Sequence, residues 1–351
     1  MKELVDYKAL KHEIEGCKRP LYFFHDDPDG LCSFLLLYKF IREGKGVVIK
    51  THPNITTNFL KIVEDYAPDK MFILDIAMVE QDFIDEVHDR LKIPLVWVDH
   101  HEPQKRHNII YFNPRKADPG IYMPATAVCY EALKDSIPQY IWIAGVGVLS
   151  DYSMPLFIGE LREKYPELIG DKTKLDDIVY GSVISDLIDM FAFILKGNTD
   201  YVKKCIKVMT RIEHPDELMN STTPGGAFIL KRYSKVKEEF DAIFKRACEK
   251  AKNEKDKLFV FIYKEKEMSF SSNLSNKVSY LFPGKIVIIG REKGDEIKCS
   301  LRSRDQPVLP LVKKAIEGFE ATGGGHELAS AAIVKIKDFE EFLRRIRQGI
   351  N

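Results

Sequence analysis

The sequence predicts an α/β protein in two parts, an N-terminal parallel-sheet domain joined by a long helix to a smaller α/β domain. Three observations carry this. The first 150 residues alternate short, almost wholly apolar runs with helix-period segments, the pattern of a parallel sheet covered on both faces. A long stretch beginning at "FILKRYSKVKEEF" has no internal Gly or Pro. The last hundred or so residues then restart the alternation. The expected divisions are 1–225, a connector helix over 226–255, and 256–351, with the active site expected in the cleft between the two domains.

Taken in order, "PLYFF" reads as a strand and "LCSFLLLYKFIREG" as a helix ended by Gly44. "KGVVIKTH" is a strand, "NFLKIVEDYA" a helix, "KMFILDIA" a strand, "EQDFIDEVHDRL" a helix and "IPLVWVDHH" a strand. "TAVCYEALKD", "YIWIAGVGVLSD" and the segments within 155–220 read as helices packing on the sheet. "MNSTTPGGA" (219–227) is the best loop signal. In the C-terminal part "KLFVFIY", "GKIVIIG", "EIKCSLRS" and "AAIVKIK" are expected as strands, and "SSNLSNKVSYLF", "VLPLVKKAIEGF" and "FEEFLRRIRQ" as helices.

Composition narrows the class. The 351 residues are 45% apolar and 30% charged, ordinary for a globular protein, and the 53 basic residues equal the 53 acidic ones. Binding to nucleic acid then requires a local groove rather than a global positive field. The six cysteines form no CxxC pair, which argues against a zinc ribbon or disulfide framework and fits a reducing cytosol. The charged opening segment lacks the apolar core of a signal peptide, and no apolar run approaches spanning length. A cytoplasmic protein without a membrane partner is expected.

The chemistry lies where strands end. "HDDPDG" packs acids behind the first strand; Asp75 ends "FILD"; Asp99, His100 and His101 end "LVWVDHH"; Asp151 ends "IWIAGVGVLSD". Strand C-termini of a parallel sheet share one edge, where open α/β folds place ligands. A lone Asp after a strand is often just an N-cap; four sequence-distant acidic segments with adjacent histidines are not accounted for that way. Carboxylate and imidazole without thiolate favour Mn²⁺ or Mg²⁺. So many acids suggest two ions about 4 Å apart, which clamp a phosphoryl group and generate a hydroxide nucleophile. His12, His52, His88, His107 and His214 show no partner pattern and are expected at the surface or as caps.

A second constellation lies in the C-terminal part. "CSLRSR" places Ser300, Arg302 and Arg304 at alternate positions, on one face of a strand. "TGGGHELAS" follows, where Gly323, Gly324 and Gly325 allow close backbone approach and a helix is expected to start near His326, offering free N–H groups to an anion. Together these suggest a cradle for a phosphate ester. Lys231, Arg232, Lys235, Lys237, Lys245 and Arg246 on the connector are either a backbone-tracking stripe or an ordinary solvated face.

"HDDPDG", "LDIA", "VDHHEP" and "GVLSD" resemble the four motifs of the DHH phosphoesterase superfamily, and "SLRSR" with "TGGGHELASAA" resembles its DHHA1 domain. The layout is similar to archaeal RecJ-like exonucleases and nanoRNases. The resemblance implies His25, Asp27, Asp29, Asp75, His100 and Asp151 as metal ligands, with Asp29 and Asp75 nearest both ions. It implies that His101 contacts the scissile phosphate, that Asp99 orients the histidine pair, and that Arg302, Arg304 and His326 hold the substrate's end. Leu31 stands where some branches place a further Asp, which weakens a pyrophosphatase reading.

The implied activity is a two-metal (Mn²⁺ or Mg²⁺) phosphodiesterase, foremost a single-strand exonuclease on DNA or RNA. The alternatives are a nanoRNase or an enzyme of cyclic dinucleotides or nucleotide bisphosphates, and a nuclease subunit of a repair or replication complex with a helicase or replisome partner. The bacterial long-strand enzyme carries a further binding module after the second domain; none is read here, so shorter or single-stranded substrates, or dependence on a partner, are expected.

Overall fold

The computed structural model describes residues 4–50, 54–264 and 268–350. The chain divides into two units, Met1–Tyr233 and Ser234–Asn351. The first is built on strands β1 (Pro20–His25), β2 (Lys45–Ile49), β4 (Lys70–Leu74), β6 (Leu95–Val98) and β7 (Ile110–Phe112), in the order β2-β1-β4-β6-β7. Every neighbouring pair in that sheet is parallel. Two-residue strands β3 (Asn54–Ile55) and β5 (Met78–Val79) make a separate small pair.

The central strands are apolar on both faces because both faces are covered. Leu21, Phe23, Ile73 and Trp97 lie in a core with Phe83 and Val87. On the other side the helix Pro28–Ile41 is buried around nearly its whole circumference, packed on the helices Ala125–Leu133 and Ile141–Ser150. Such a helix must be apolar all round, which is how "LCSFLLLYKF" reads. Its one buried cation, Lys39, donates through Nζ to the Ile212 carbonyl at 2.5 Å and to Glu213 Oε1 at 3.0 Å.

Several expected boundaries move. The buried helix starts at Pro28, with Asp27 as N-cap, and ends at Arg42 in the left-handed region (φ 63°) rather than at Gly44. "MNSTTPGGA" is mostly helical: one helix runs through Asn220 and the next begins at Pro224 and continues to Asn253. Pro at the first position is compatible with a helix start, so only Ser221–Thr223 remain between them. His52 lies outside the described residues. His214 is an N-cap, its ring accepting from the Asp216 N–H at 3.2 Å.

The second unit has a mixed sheet, β11-β12-β10-β9-β8, from β8 (Leu258–Tyr263), β9 (Ile286–Lys293), β10 (Glu296–Arg302), β11 (Thr322–Gly325) and β12 (Ala329–Lys335). Only β8 and β9 pair in parallel. The helices Leu309–Ala315 and Phe339–Gln348 close a core of Ile288, Leu301, Val312, Phe342 and Ile346. Among the described residues no helix is long and apolar enough to cross a membrane.

Candidate metal centre

The strand C-termini of the first unit converge as the sequence predicts. His25 ends β1, and its Nδ1 lies 2.6 Å from Asp27 Oδ2 and 3.2 Å from Asp75 Oδ2. Asp75 follows β4; its N–H donates to the Val98 carbonyl at 2.9 Å and it adopts φ 55°. Asp is among the few residues that tolerate that conformation, at some cost. Asp99 N–H donates in turn to the Phe112 carbonyl at 3.1 Å, carrying the ladder past the end of β6.

His100 Nε2 sits 3.2 Å from Asp75 Oδ1 and 3.4 Å from Asp151 Oδ2. Asp151 caps the C-terminus of Ile141–Ser150, an end where the helix dipole disfavours a carboxylate. Asp29 is fully buried, its two oxygens accepting the Ala125 and Thr126 N–H groups at 2.9 Å each. Asp27 also accepts from the Gly30 N–H at 2.9 Å. An N-cap role and a place in the cluster therefore coexist in one side chain.

Among the described residues, three groupings bring ligand atoms within 4.8 Å of one another: His25, Asp27 and Asp75; Asp75, His100 and His101; Asp29, His100 and Asp151. Asp75 and His100 each belong to two of them. Burial raises the carboxyls of Asp29, Asp75 and Asp151, and neighbouring acids raise them further. Burial opposes the His25 and His100 imidazolium forms, but the surrounding carboxylates outweigh it and raise both histidines. A cluster that pulls protons onto itself this strongly is short of positive charge. Among the described residues, Asp75 Oδ1 and His100 Nδ1 are buried without a hydrogen-bond partner. A hard oxygen-and-imidazole donor set with an orphaned carboxylate oxygen fits divalent cations such as Mn²⁺ or Mg²⁺.

Residues absent from the sequence reading complete the surroundings. Tyr111 O–H and Asn113 Nδ2 donate to Asp99 Oδ2 at 3.1 and 3.3 Å. Tyr122 O–H donates to Asp151 Oδ2 at 3.2 Å, its ring edge against His100. The Asn-Pro pair at 113–114 was the one available hint for Asn113, since Asn before a turn commonly caps it; nothing flagged the tyrosines.

The C-terminal constellation departs from expectation in two places. No helix starts at His326. Gly323–Gly325 pair with β12, and His326 and Ala329 exchange backbone hydrogen bonds across a tight turn. Gly325 has φ 128°, and a Cβ there would meet the Ala329 carbonyl at 2.6 Å, so the glycine serves the hairpin. Arg304 lies beyond the end of β10, which stops at Arg302. Both arginines instead lean on the helix Ser271–Leu281: Arg302 donates to Asn276 Oδ1 at 2.5 Å and Ser272 Oγ at 3.0 Å, and Arg304 lies over the Tyr280 ring. Arg232 of the basic connector is buried rather than solvated.

Comparison with known proteins identifies the family and the fold. The profile of the DHH family, N-terminal domain, matches residues 21–153, and that of the DHHA1 domain matches residues 255–351. No curated protein matches the chain. RecJ from Thermus thermophilus, solved with Mn²⁺, superposes with a TM-score of 0.70 at 14% identity over 99% of this chain and 54% of its own. The chain thus spans about half the length of that relative. A second exonuclease RecJ, bound to manganese, gives a TM-score of 0.60 at 15% identity over 99% and 94% of the two chains. The pGpG-specific phosphodiesterase PggH of Vibrio cholerae gives 0.50 at 16% identity over 94% and 98%. With both domain profiles matched in order and a RecJ-like fold throughout, the chain belongs to the DHH/DHHA1 superfamily of metal-dependent phosphoesterases.

Proposed function

We propose that the chain is a two-metal phosphodiesterase that shortens single-stranded DNA or RNA from an end. The observation that supports this most is the sharing of Asp75 and His100 between adjacent ligand groupings. His25, Asp27 and Asp75 form one centre, Asp29, His100 and Asp151 the other, and Asp75 stands between them. Mn²⁺ or Mg²⁺ held there supplies Lewis acidity and a water of lowered pKa.

The chain's own groups do the rest. His101 has Nδ1 committed to Asp99 at 2.7 Å, which leaves Nε2 for the scissile phosphate. Asp99 fixes that tautomer and is itself held by Tyr111 and Asn113. In the second unit Arg302, Arg304, Ser300, Gly323, Gly324, Gly325 and His326 hold the strand's end. Six free thiols support a cytoplasmic setting.

The test is digestion of 5′- and 3′-labelled single-stranded DNA and RNA with Mn²⁺, beside di- to pentanucleotides and a cyclic dinucleotide. A ladder from one labelled end is expected. Turnover confined to the shortest oligonucleotides or the cyclic compound would replace the exonuclease reading with that of a nanoRNase or small-molecule phosphodiesterase. No turnover of any of them would overturn the proposal, and would favour a binding role within a repair or replication complex.

A further inference from the structure

Lys50 follows β2, and the register pairs His25 of β1 with Ile49 of β2. The same register sets Lys50 beside Asp26, on the sheet edge that carries the acidic cluster. Three cations meet there. Lys50 Nζ donates to the Gly197 carbonyl at 3.1 Å. Arg232 donates to the neighbouring Lys196 carbonyl at 2.5 Å. Lys196 itself extends from the end of the helix Ile184–Ile194, with no hydrogen bond or ion pair on its ammonium among the described residues.

The grouping is not an accident of exposed side chains. Arg232 is only 8% exposed, its guanidinium lies 4.9 Å over the Tyr201 ring, and that ring stacks on Phe228. Its Nε is buried without a hydrogen-bond partner among the described residues. Burial lowers the Lys50 ammonium, Asp26 opposes that, and Lys196 and Arg232 lower it further. Among the described residues Asp26 is the acid that acts on Lys50, and no ion pair joins it to any of the three cations. Two cations pressing on a third, one of them with a buried N–H that finds no acceptor among the described residues, describe an anion site.

We infer that Lys50, Lys196 and Arg232 bind a second phosphate of the substrate, separated by one nucleoside from the phosphate at the acidic cluster. This rests on the phosphodiesterase reading for the identity of the substrate. Neighbouring strands lie about 4.8 Å apart, so Lys50 stands one strand over from His25 and two from Asp75, within reach of the next phosphate of a bound strand. The site selects substrates with more than one phosphate over simple phosphodiesters.

Equilibrium binding of pentathymidylate and of adenosine 3′,5′-bisphosphate in EDTA at low ionic strength tests this without catalysis. Lys50→Gln/Lys196→Gln is compared with wild type and with Lys61→Gln, whose lysine pairs with Asp65 on the surface. The double variant should bind at least one ligand ten-fold more weakly, and the pentathymidylate salt slope should fall by about 0.7 for each lysine. Loss with the bisphosphate as well as the strand assigns the site to any two-phosphate nucleotide; loss with the strand alone assigns it to polymers. Wild-type protein that binds neither ligand, or a double variant that behaves like Lys61→Gln, overturns the inference. Wild type that binds in this way but cleaves nothing with Mn²⁺ sinks the phosphodiesterase reading and leaves the anion site standing.

Discussion

Asp99 and His101, two residues apart, are joined twice: His101 Nδ1 lies 2.7 Å from Asp99 Oδ1, and the His101 N–H donates to Asp99 Oδ2 at 3.1 Å. A fully buried carboxylate so placed accepts a hydrogen bond from Nδ1–H and fixes the ring's orientation. Asp99→Asn keeps the shape but can present an amide N–H to the ring. It is expected to cut kcat in Mn²⁺ by about 10–100-fold with little change in Tm. Tyr111→Phe removes one of several donors to the same carboxylate and should cost less. Equal activity in Asp99→Asn and wild type would remove the orienting role.

Asp75 is predicted to matter in opposite directions with and without metal. In EDTA its buried carboxyl is raised by burial first and then by Asp27 and Asp29, so Asp75→Asn relieves repulsion and should hold or raise Tm. Cation binding to wild type stabilises the fold by about 2.7 kcal/mol at one hundred times Kd. The variant should lose most of that rise in a Mn²⁺ titration followed by thermal denaturation, and its cleavage should drop to background. A full Mn²⁺-induced shift in Asp75→Asn would contradict the ligand assignment.

What was legible follows burial. "LYFF", "MFIL" and "LVWV" announce β1, β4 and β6 because both faces of those strands are covered, so each run is apolar without alternation. Their ends announce the site for the same reason: Asp75 and Asp99 are expensive where they stand. β7 gave no such signal. It is a three-residue edge strand, Ile110 is exposed, and no helix precedes it to mark a crossover. Gly323–Gly325 misled because glycine has low strand propensity, and only pairing with Ala331 and Ala332 reveals the hairpin. Asp29's grip on Ala125 and Thr126 joins residues nearly a hundred positions apart, and no local pattern encodes that.

A pH-dependent contribution is predicted away from the metal centre. Burial pushes the Glu213 carboxyl up, and hydrogen bonds from Arg42, Tyr140 and Lys39 outweigh it and hold it at about 2, below its ordinary 4.5. A depressed acid stabilises the fold fully above its unfolded value and loses that contribution as pH falls through the folded one. Glu213→Gln should therefore be less stable than wild type at neutral pH, partly because the buried Lys39 ammonium loses its counter-charge and keeps only neutral acceptors. The gap between the two proteins, measured by urea denaturation, should narrow as pH falls from about 4.5 toward 2. A gap that stays constant over that range would contradict the depressed value.

Gly30 links the fold to the site most directly. It sits in the first turn of the buried helix, where a Cβ would meet the His25 carbonyl oxygen at 2.6 Å and the His25 nitrogen at 2.7 Å. Both contacts are backbone of β1, so neither can swing aside as a flexible side chain would. Gly30→Ala must push the helix start away from the end of β1. Asp27 and Asp29 ride on that start: one caps it through the Gly30 N–H, and the other reaches from it to Ala125 and Thr126. The expected result is a stability loss of about 1–3 kcal/mol, together with loss of most of the Mn²⁺-induced rise in Tm. Gly159→Ala is the matched comparison, since nothing lies within 4 Å of its Cβ position in the helix Ile158–Lys164. That change should stabilise by about 0.4–1 kcal/mol and leave the Mn²⁺ response as it was. If Gly30→Ala kept both its Tm and its Mn²⁺ response, the close approach of helix to strand would not be what sets the ligand geometry.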